Sequence, residues 1–100
     1  MFESAARSSV RDMEPYRLPF TFDRASAPYY RLRNTGPERL RGVTATLLGS
    51  GVMPAHRPAA LRPGEHLDLV IRGDDLPRDS VLVIRWLRPN GEEYLWRVAF

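Results

Sequence analysis

Two histidines and one aspartate are the residues whose types best suit metal chemistry. His56 and His66 lie ten residues apart, and Asp68 follows the second histidine on the same face of a predicted strand. Two imidazoles and a carboxylate form a donor set that transition metals accept. Their spacing matches no compact ligand motif, and His56 falls in a segment without strand periodicity. A metal-dependent enzyme is therefore the least favoured of three functional hypotheses, and we expect neither a metal nor a cofactor.

The chain lacks the other common signatures of catalysis. It contains no cysteine, which excludes a thiolate nucleophile, a disulfide and a thiolate metal site. It has neither a phosphate-binding glycine loop nor a nucleophile elbow. Asp74, Asp75 and Asp79 cluster at a turn, but they lack the ligand order of a calcium loop, so turn formation and helix-like capping are their favoured roles. We therefore expect no catalytic residues and no enzymatic activity.

The arginines support a second hypothesis, the binding of nucleic acid or another polyanion. All fifteen basic residues are arginine, a bias typical of a GC-rich genome, and the net charge is only +3. Tyr29, Arg31 and Arg33 point outward from one predicted strand, and Arg39 and Arg41 flank a turn. If these side chains converge, they would bind phosphates while Tyr29 stacks on a base. Pairing of the arginines with acidic residues on neighbouring strands is the favoured alternative.

Residues 80–100 form a predicted hairpin whose register can be derived from its turn. Pro89 suits position i+1 of a type I turn, Asn90 suits i+2, and Gly91 supplies the left-handed residue of a bulge. A two-residue Asn-Gly loop would instead shift the pairing by one residue and scatter charge over both faces. The three-residue loop makes one face wholly apolar, with these pairs: Leu82 with Val98, Ile84 with Trp96, and Trp86 with Tyr94. We assign this face, including both tryptophans, to the core.

The opposite face of the hairpin mixes apolar and charged side chains, and it carries the first hypothesis. Its central members are Val83, Arg85, Leu87, Glu93, Leu95 and Arg97, with Val81 and Ala99 at the far end. This face is too apolar for an ordinary solvated surface and too charged for a second core, and apolar residues rimmed by arginine are typical of an interface. The sequence thus favours a non-catalytic protein-interaction module that binds a protein partner or self-associates into an oligomer. A segment of the N-terminus laid over the face would bury it equally well.

Four further stretches alternate with a period of two, which predicts strands. Their apolar positions are Leu18, Phe20 and Phe22; Tyr30 and Leu32; Val43, Ala45 and Leu47; and Leu67, Leu69 and Ile71. Pro19 confines the first strand to a sheet edge. Residues 49–64 are expected to form a long loop or a short edge strand around Val52 and Met53, and Gly73 to Pro77 a turn. Short strands at this spacing predict an all-β antiparallel sandwich of six or seven strands.

One hundred residues suit a single domain. We expect residues 16–100 to form the sandwich and residues 1–15 a short helix or tail, because Phe2, Ala6, Val10 and Met13 recur at helical spacing before Pro15. No stretch has the apolar length of a signal peptide core or a membrane span. The sequence therefore predicts a cytoplasmic protein with no membrane partner.

Three stretches in the middle of the chain resemble a known family. They are Tyr30-Arg-Leu-Arg-Asn-Thr-Gly36, then Leu40-Arg-Gly-Val-Thr-Ala-Thr-Leu47, then Leu61-Arg-Pro-Gly-Glu65 before a strand. In this order, across residues 28 to 72, the chain resembles bacterial immunoglobulin-like modules of the cell-adhesion-related and fibronectin-type kinds. The resemblance implies an immunoglobulin-like sandwich in which the Asn-Thr-Gly and Pro-Gly-Glu turns connect strands. It implies no catalytic residue.

Overall fold

The alternating stretches form β-strands in the structure, a computed structural model that describes residues 6–7 and 15–100. The elements in chain order are β1 (Ala6–Arg7), β2 (Phe20–Ser26), β3 (Tyr29–Asn34), β4 (Leu40–Gly49), β5 (Ala59–Leu61), β6 (His66–Val70), α1 (Leu76–Asp79), β7 (Ser80–Leu87) and β8 (Glu93–Val98). The predicted turn at residues 73–77 leads into α1. Pro77 lies in the first turn of this helix, where backbone N–H groups have no partner within the helix, so the missing N–H of proline is tolerated.

The strands form two antiparallel sheets that pack face to face. The first sheet has the order β2-β3-β6, and the second has the order β8-β7-β4-β5, with the two-residue β1 added at the free edge of β8. As Pro19 predicts, β2 is an edge strand. From β2 onward, the chain crosses between the sheets after β3, after β5 and after β6. Apart from the two-residue β1 there are seven strands, which confirms the predicted all-β antiparallel sandwich of six or seven strands.

The core lies between the sheets, because one face of each long strand is apolar. Side chains with almost no exposed surface come from both sheets and include Leu32, Leu40, Ile71, Leu82, Ile84, Trp86 and Tyr94. Across the gap between the sheets, the ring of Phe20 meets Trp86 edge to face at 4.9 Å. At the other end of the sandwich, Phe100 packs against the stacked rings of Phe22 and Tyr30. The two sheets are thus joined by aromatic contacts at both ends.

The hairpin between β7 and β8 has the predicted three-residue turn. The Gly91 N–H donates to the Arg88 carbonyl at 2.9 Å, the Arg88 N–H donates to the Glu92 carbonyl at 2.9 Å, and Gly91 has a φ of 87°. The predicted apolar pairs are all present: Leu82 with Val98, Ile84 with Trp96, and Trp86 with Tyr94. Trp86 is fully buried, whereas Trp96 is partly buried against the core. The derived register is therefore confirmed.

Two segments differ in detail from the sequence expectation. The short edge strand between β4 and β6 lies at Ala59–Leu61, and Val52 forms only an isolated bridge with Arg72. Pro54 and Pro58 lie between Val52 and Ala59, and they lack the N–H groups that strand pairing needs. Residues 1–5 and 8–14 of the predicted N-terminal helix or tail lie outside the described residues, and the described pair between them is the strand β1.

Asn34 joins the two sheets through a buried amide. Its side chain has no exposed surface, and its Nδ2 donates to the carbonyls of Glu38 at 2.8 Å and Leu61 at 2.9 Å. Its Oδ1 accepts the N–H of Gly36 at 3.0 Å. Asn34 ends β3 in one sheet, whereas Leu61 ends β5 in the other. The Asn-Thr-Gly turn is therefore held by a side chain that also ties the sheets together.

We expect Asn34→Ala to lower the free energy of unfolding by about 2 to 4 kcal/mol, because it removes partners from the buried Leu61 carbonyl and from the part-buried Glu38 carbonyl and Gly36 N–H. Asn90→Ala is the matched control, since that amide bonds to Glu92 at an exposed turn. The control should cost less than about 1 kcal/mol. Urea denaturation followed by tryptophan fluorescence measures both values. Equal losses in the two variants would show that Asn34 does not join the sheets.

Candidate functional site

The six predicted interface residues lie together on the solvent side of the second sheet. In the β7–β8 register Val83 is opposite Arg97, Arg85 is opposite Leu95, and Leu87 is opposite Glu93. Directly opposed residues point to the same side of a sheet, so these three pairs form one continuous surface. We call it the outer face. The apolar members are half-buried, whereas both arginines are exposed.

Strand β4 widens the outer face with residues that the sequence analysis did not assign to it. Thr44 is opposite Arg85, Thr46 is opposite Val83, and Leu48 is opposite Val81. Leu48 is 46% exposed. The signal for these positions was present in the sequence, because they alternate with the buried Val43 and Ala45. The sequence did not show that β4 is the neighbour of β7, since this pairing joins residues about forty positions apart.

Arg41 lies on the outer face, away from Arg31 and Arg33. It is the register partner of Leu87, just before a bulge that separates it from Thr44. The exposed Arg85 lies in the middle of the outer face, between Val83 and Leu87 on β7, whereas the exposed Arg41 and Arg97 lie on the flanking strands. Glu93 adds one half-buried carboxylate. The surface therefore mixes apolar side chains with predominantly basic ones.

Three of the four remaining residues of the predicted polyanion surface lie on the other sheet. Tyr29, Arg31 and Arg33 form a row on the solvent side of β3, and Tyr29 is 61% exposed. The Arg31 Nε donates to the Asp68 Oδ1 at 2.9 Å. The Arg33 Nη1 donates to a backbone carbonyl, that of Gly64, at 2.6 Å. The favoured pairing with acidic neighbours is present for Arg31.

The five residues of the polyanion hypothesis do not form one surface. Arg39 lies in the connection that leads from β3 to β4, and Arg41 belongs to the outer face. Asp23 is the register partner of Arg31 on the side opposite Asp68, so carboxylates flank this arginine on both neighbouring strands. Negative charge at these positions opposes the approach of a phosphate backbone.

The two histidines occupy different surfaces. His56 lies beside β4, where its Nε2 accepts the Ala45 N–H at 3.1 Å and its Nδ1 donates to the Arg57 carbonyl at 2.8 Å. His66 lies on β6, with its Nε2 3.6 Å from the Asp68 Oδ2. Within residues 15–100 no three His, Cys, Asp or Glu side chains are grouped as metal ligands. The structure therefore does not bring His56, His66 and Asp68 together.

Asp79, one of the three clustered aspartates, holds the junction where β4 ends and β7 begins. Its carboxylate accepts hydrogen bonds from the hydroxyls of Ser50 and Ser80. These bonds, that from Ser50 above all, lower the pKa of Asp79. Asp75 lies next to α1 and forms an ion pair with Arg78 at 3.8 Å. The Asp75 ion pair is local to the turn, as expected, but the Asp75 side chain makes no capping hydrogen bond to α1, and the bond from Ser50 links Asp79 to the end of β4.

Arg88 is the centre of a cluster that the sequence analysis did not find. Its guanidinium lies 4.2 Å from the ring centroid of Tyr16 and forms two hydrogen bonds with the Glu38 carboxylate, at 3.0 and 3.1 Å. The bond to Glu38 raises the pKa of the guanidinium. Trp86 Nε1 donates to the Tyr16 hydroxyl at 3.2 Å, and burial raises the pKa of that hydroxyl. Because the cation is already stacked and paired, this cluster stabilises the end of the sandwich.

No protein family, curated protein or solved structure matches this chain. Among the described residues, no helix has the length and apolar character needed to cross a membrane.

The Arg31–Asp68 pair generates a prediction about pH. The hydrogen bond from Arg31 lowers the pKa of Asp68 below its ordinary value, so the folded protein holds this proton less tightly than the unfolded chain does. The pair therefore stabilises the fold above the unfolded pKa of about 3.9, and the contribution is lost as pH falls through the folded value. Both side chains are largely exposed, which keeps the contribution below about 1 kcal/mol.

We expect Arg31→Met to return the pKa of Asp68 toward its ordinary value. Carbon-detected NMR titration of the Asp68 carboxyl group measures the change. Arg85→Met, which removes an exposed arginine from the outer face, is the control and should leave this pKa unaltered. An unchanged titration in Arg31→Met would mean that the pair does not form in solution.

Proposed function

We propose that this protein is a non-catalytic protein-interaction module whose contact surface is the outer face. The observation that supports it best is the row of incompletely buried apolar side chains along the solvent side of β7, joined by Leu48 of β4 opposite Val81 and by Leu95 of β8 opposite Arg85. Its members are Leu48, Val81, Val83, Leu87 and Leu95. A partner that covers them would gain about 25 cal/mol for each Å² of apolar surface removed from water.

The charge of the outer face indicates what kind of partner fits. Arg41, Arg85 and Arg97 favour a protein whose complementary surface combines acidic and apolar side chains. A second copy of the chain is also compatible, since in a two-fold dimer the face meets itself, and it carries both arginines and the carboxylate of Glu93. In either case the arginines supply specificity and speed of association, and the apolar row supplies most of the affinity.

The fold supports placing the chain among immunoglobulin-like modules. Its seven strands divide into sheets of three and four, and the chain crosses repeatedly between them, as it does in sandwiches of this kind. The lack of cysteine suits a reducing compartment, and we propose the cytoplasm as the location. The polyanion hypothesis has weaker support, because its arginines are divided between two surfaces and Arg31 is paired.

Val83→Glu should abolish binding through the outer face, because it replaces an apolar side chain of the row with a carboxylate that must be desolvated on binding, even where it pairs with Arg97 on the opposite strand. Val70→Glu is the matched control, since Val70 is also half-buried but lies on β6 in the other sheet. Sedimentation equilibrium measures self-association, and quantitative capture from cells of the source organism measures partner binding. We expect Val83→Glu, but not Val70→Glu, to lose the complexes.

The salt dependence of binding separates the two candidate functions. A complex that depends on Val83 should persist at about 0.5 M salt, whereas a polyanion complex should weaken steeply with ionic strength. If Val83→Glu leaves both the mass in solution and every partner unchanged, the outer face is not the contact surface.

A further inference from the structure

The edge of β4 that faces away from β7 is only partly paired. β4 is ten residues long, but β5 contains three residues and pairs with it only at Leu40 and Val43. Within residues 15–100, no strand pairs with this edge from Thr44 to Gly49. At about 3.3 Å per residue, the open stretch is roughly 20 Å long. Such an edge presents unpaired backbone groups to any extended chain that approaches it.

A histidine takes the place of a strand partner at this edge. The Ala45 N–H points away from β7 and donates to the Nε2 of His56 at 3.1 Å. Backbone groups of alternate residues in a strand point in the same direction, so the N–H and carbonyl of Leu47 face the same open side. The imidazole is itself oriented by its bond to the Arg57 carbonyl. One backbone donor of the edge is thus satisfied by a side chain that a peptide carbonyl can replace.

A groove of about 550 Å³ runs beside this edge. It lies between β4 and the following loop, and its lining residues are Thr44, Ala45, Thr46, Leu47, Gly51, Val52, Met53, Ala55 and His56. Val52 is 68% exposed, and Leu47 and Met53 are half-buried, so apolar surface is available for alternate side chains of a bound strand.

The far wall of the groove is fixed to the body of the sandwich. Val52 exchanges two backbone hydrogen bonds with Arg72, at 2.8 and 2.9 Å, and the Gly51 N–H donates to the Ser80 hydroxyl at 3.1 Å. A wall held in this way does not have to be ordered when a peptide binds, which reduces the entropic cost of binding.

The charge that borders the groove favours an acidic occupant. Arg57 directly follows the lining residue His56, and Arg72 is the bridge partner of the lining residue Val52, although neither arginine lines the groove itself. Both arginines are exposed, and neither forms an ion pair with a carboxylate of residues 15–100. An extended segment that carries an acidic residue beside its apolar positions would pair with them.

We propose that the open edge of β4 is a strand-addition site for an extended segment of a partner protein, with alternating apolar residues and at least one acidic residue. The segment adds to the sheet beside β4, in line with β5, and its backbone bonds to Leu47 and replaces His56 at Ala45. Main-chain bonds supply affinity, and contacts with Leu47, Val52 and Met53 select the side chains. This site uses the edge of the sheet, whereas the proposed function above uses its outer face.

The probe is a phage-displayed library of random ten-residue peptides selected on the wild-type protein, followed by titration calorimetry with the synthetic peptide that binds best. Ala55→Trp fills the groove from an exposed position and should weaken this peptide by about tenfold or more. The matched control is Ala25→Trp, an exposed alanine on β2 of the other sheet, and it should change the affinity by less than about twofold. Thermal melts check that both variants fold.

Amide hydrogen exchange tests whether the peptide pairs with the edge. Bound peptide should slow exchange of the Leu47 N–H, and the selected sequences should alternate apolar residues with an acidic one nearby. The proposal is overturned if no peptide prefers the wild type to Ala55→Trp, or if the protected amides lie on β2, β6 or β8. The proposal is also overturned if the wild type self-associates and Ala55→Trp abolishes this self-association, because a second copy of the chain would then occupy the β4 edge.

The same experiment separates this site from the outer face. Val83→Glu should leave the affinity for the selected peptide within about twofold, and Ala55→Trp should leave complexes made through the outer face intact. Each variant therefore shows whether its own surface binds a partner while binding through the other surface is preserved.

Discussion

The three-residue turn at Pro89 to Gly91 is the constraint on which the rest of the structure depends. Side chains alternate between the two faces of a strand, so a shift of one residue in the turn would exchange the core and solvent faces of β8. The observed register places Tyr94 beside Trp86 in the core, where Tyr16 and Phe20 then pack on them. It also leaves the charged and apolar residues of the outer face together on the solvent side.

The sandwich is closed by a small number of contacts between its sheets. Asn34 joins the end of β3 to the end of β5 with buried hydrogen bonds, and Arg24 donates twice to the carbonyl of Ala99 at another edge, at 3.1 and 2.7 Å. Because β5 begins only at Ala59 and runs antiparallel to β4, it pairs with only the first part of β4, and the closure is incomplete along the β4 edge. The outer face and the β4 edge belong to the same sheet, and they offer a partner two different kinds of contact: apolar side chains on one, backbone hydrogen bonds on the other.

Both surfaces could be predicted only in part from the sequence. Val83, Leu87 and Leu95 follow from local alternation and one turn, and the structure places all three where the pattern predicts. Arg41 shows why the rest could not be predicted, because its sequence neighbours suggest a turn, whereas its neighbour in the sheet is Leu87. Likewise His56 has no periodic context, and its contact with Ala45 depends on how the loop folds back along β4.

The sequence by itself determined the long strands, the hairpin register and the separation of its two faces, because proline and glycine geometry and the period of two act over a few residues. Only the tertiary structure decided which strands are neighbours. The choice of neighbouring strands placed Arg31 beside Asp68 and separated His56 from His66. It also brought the outward-facing residues of β4, Thr44, Thr46 and Leu48, next to the hairpin. These outcomes depend on the packing of two sheets around one core, which joins residues that are far apart in the chain.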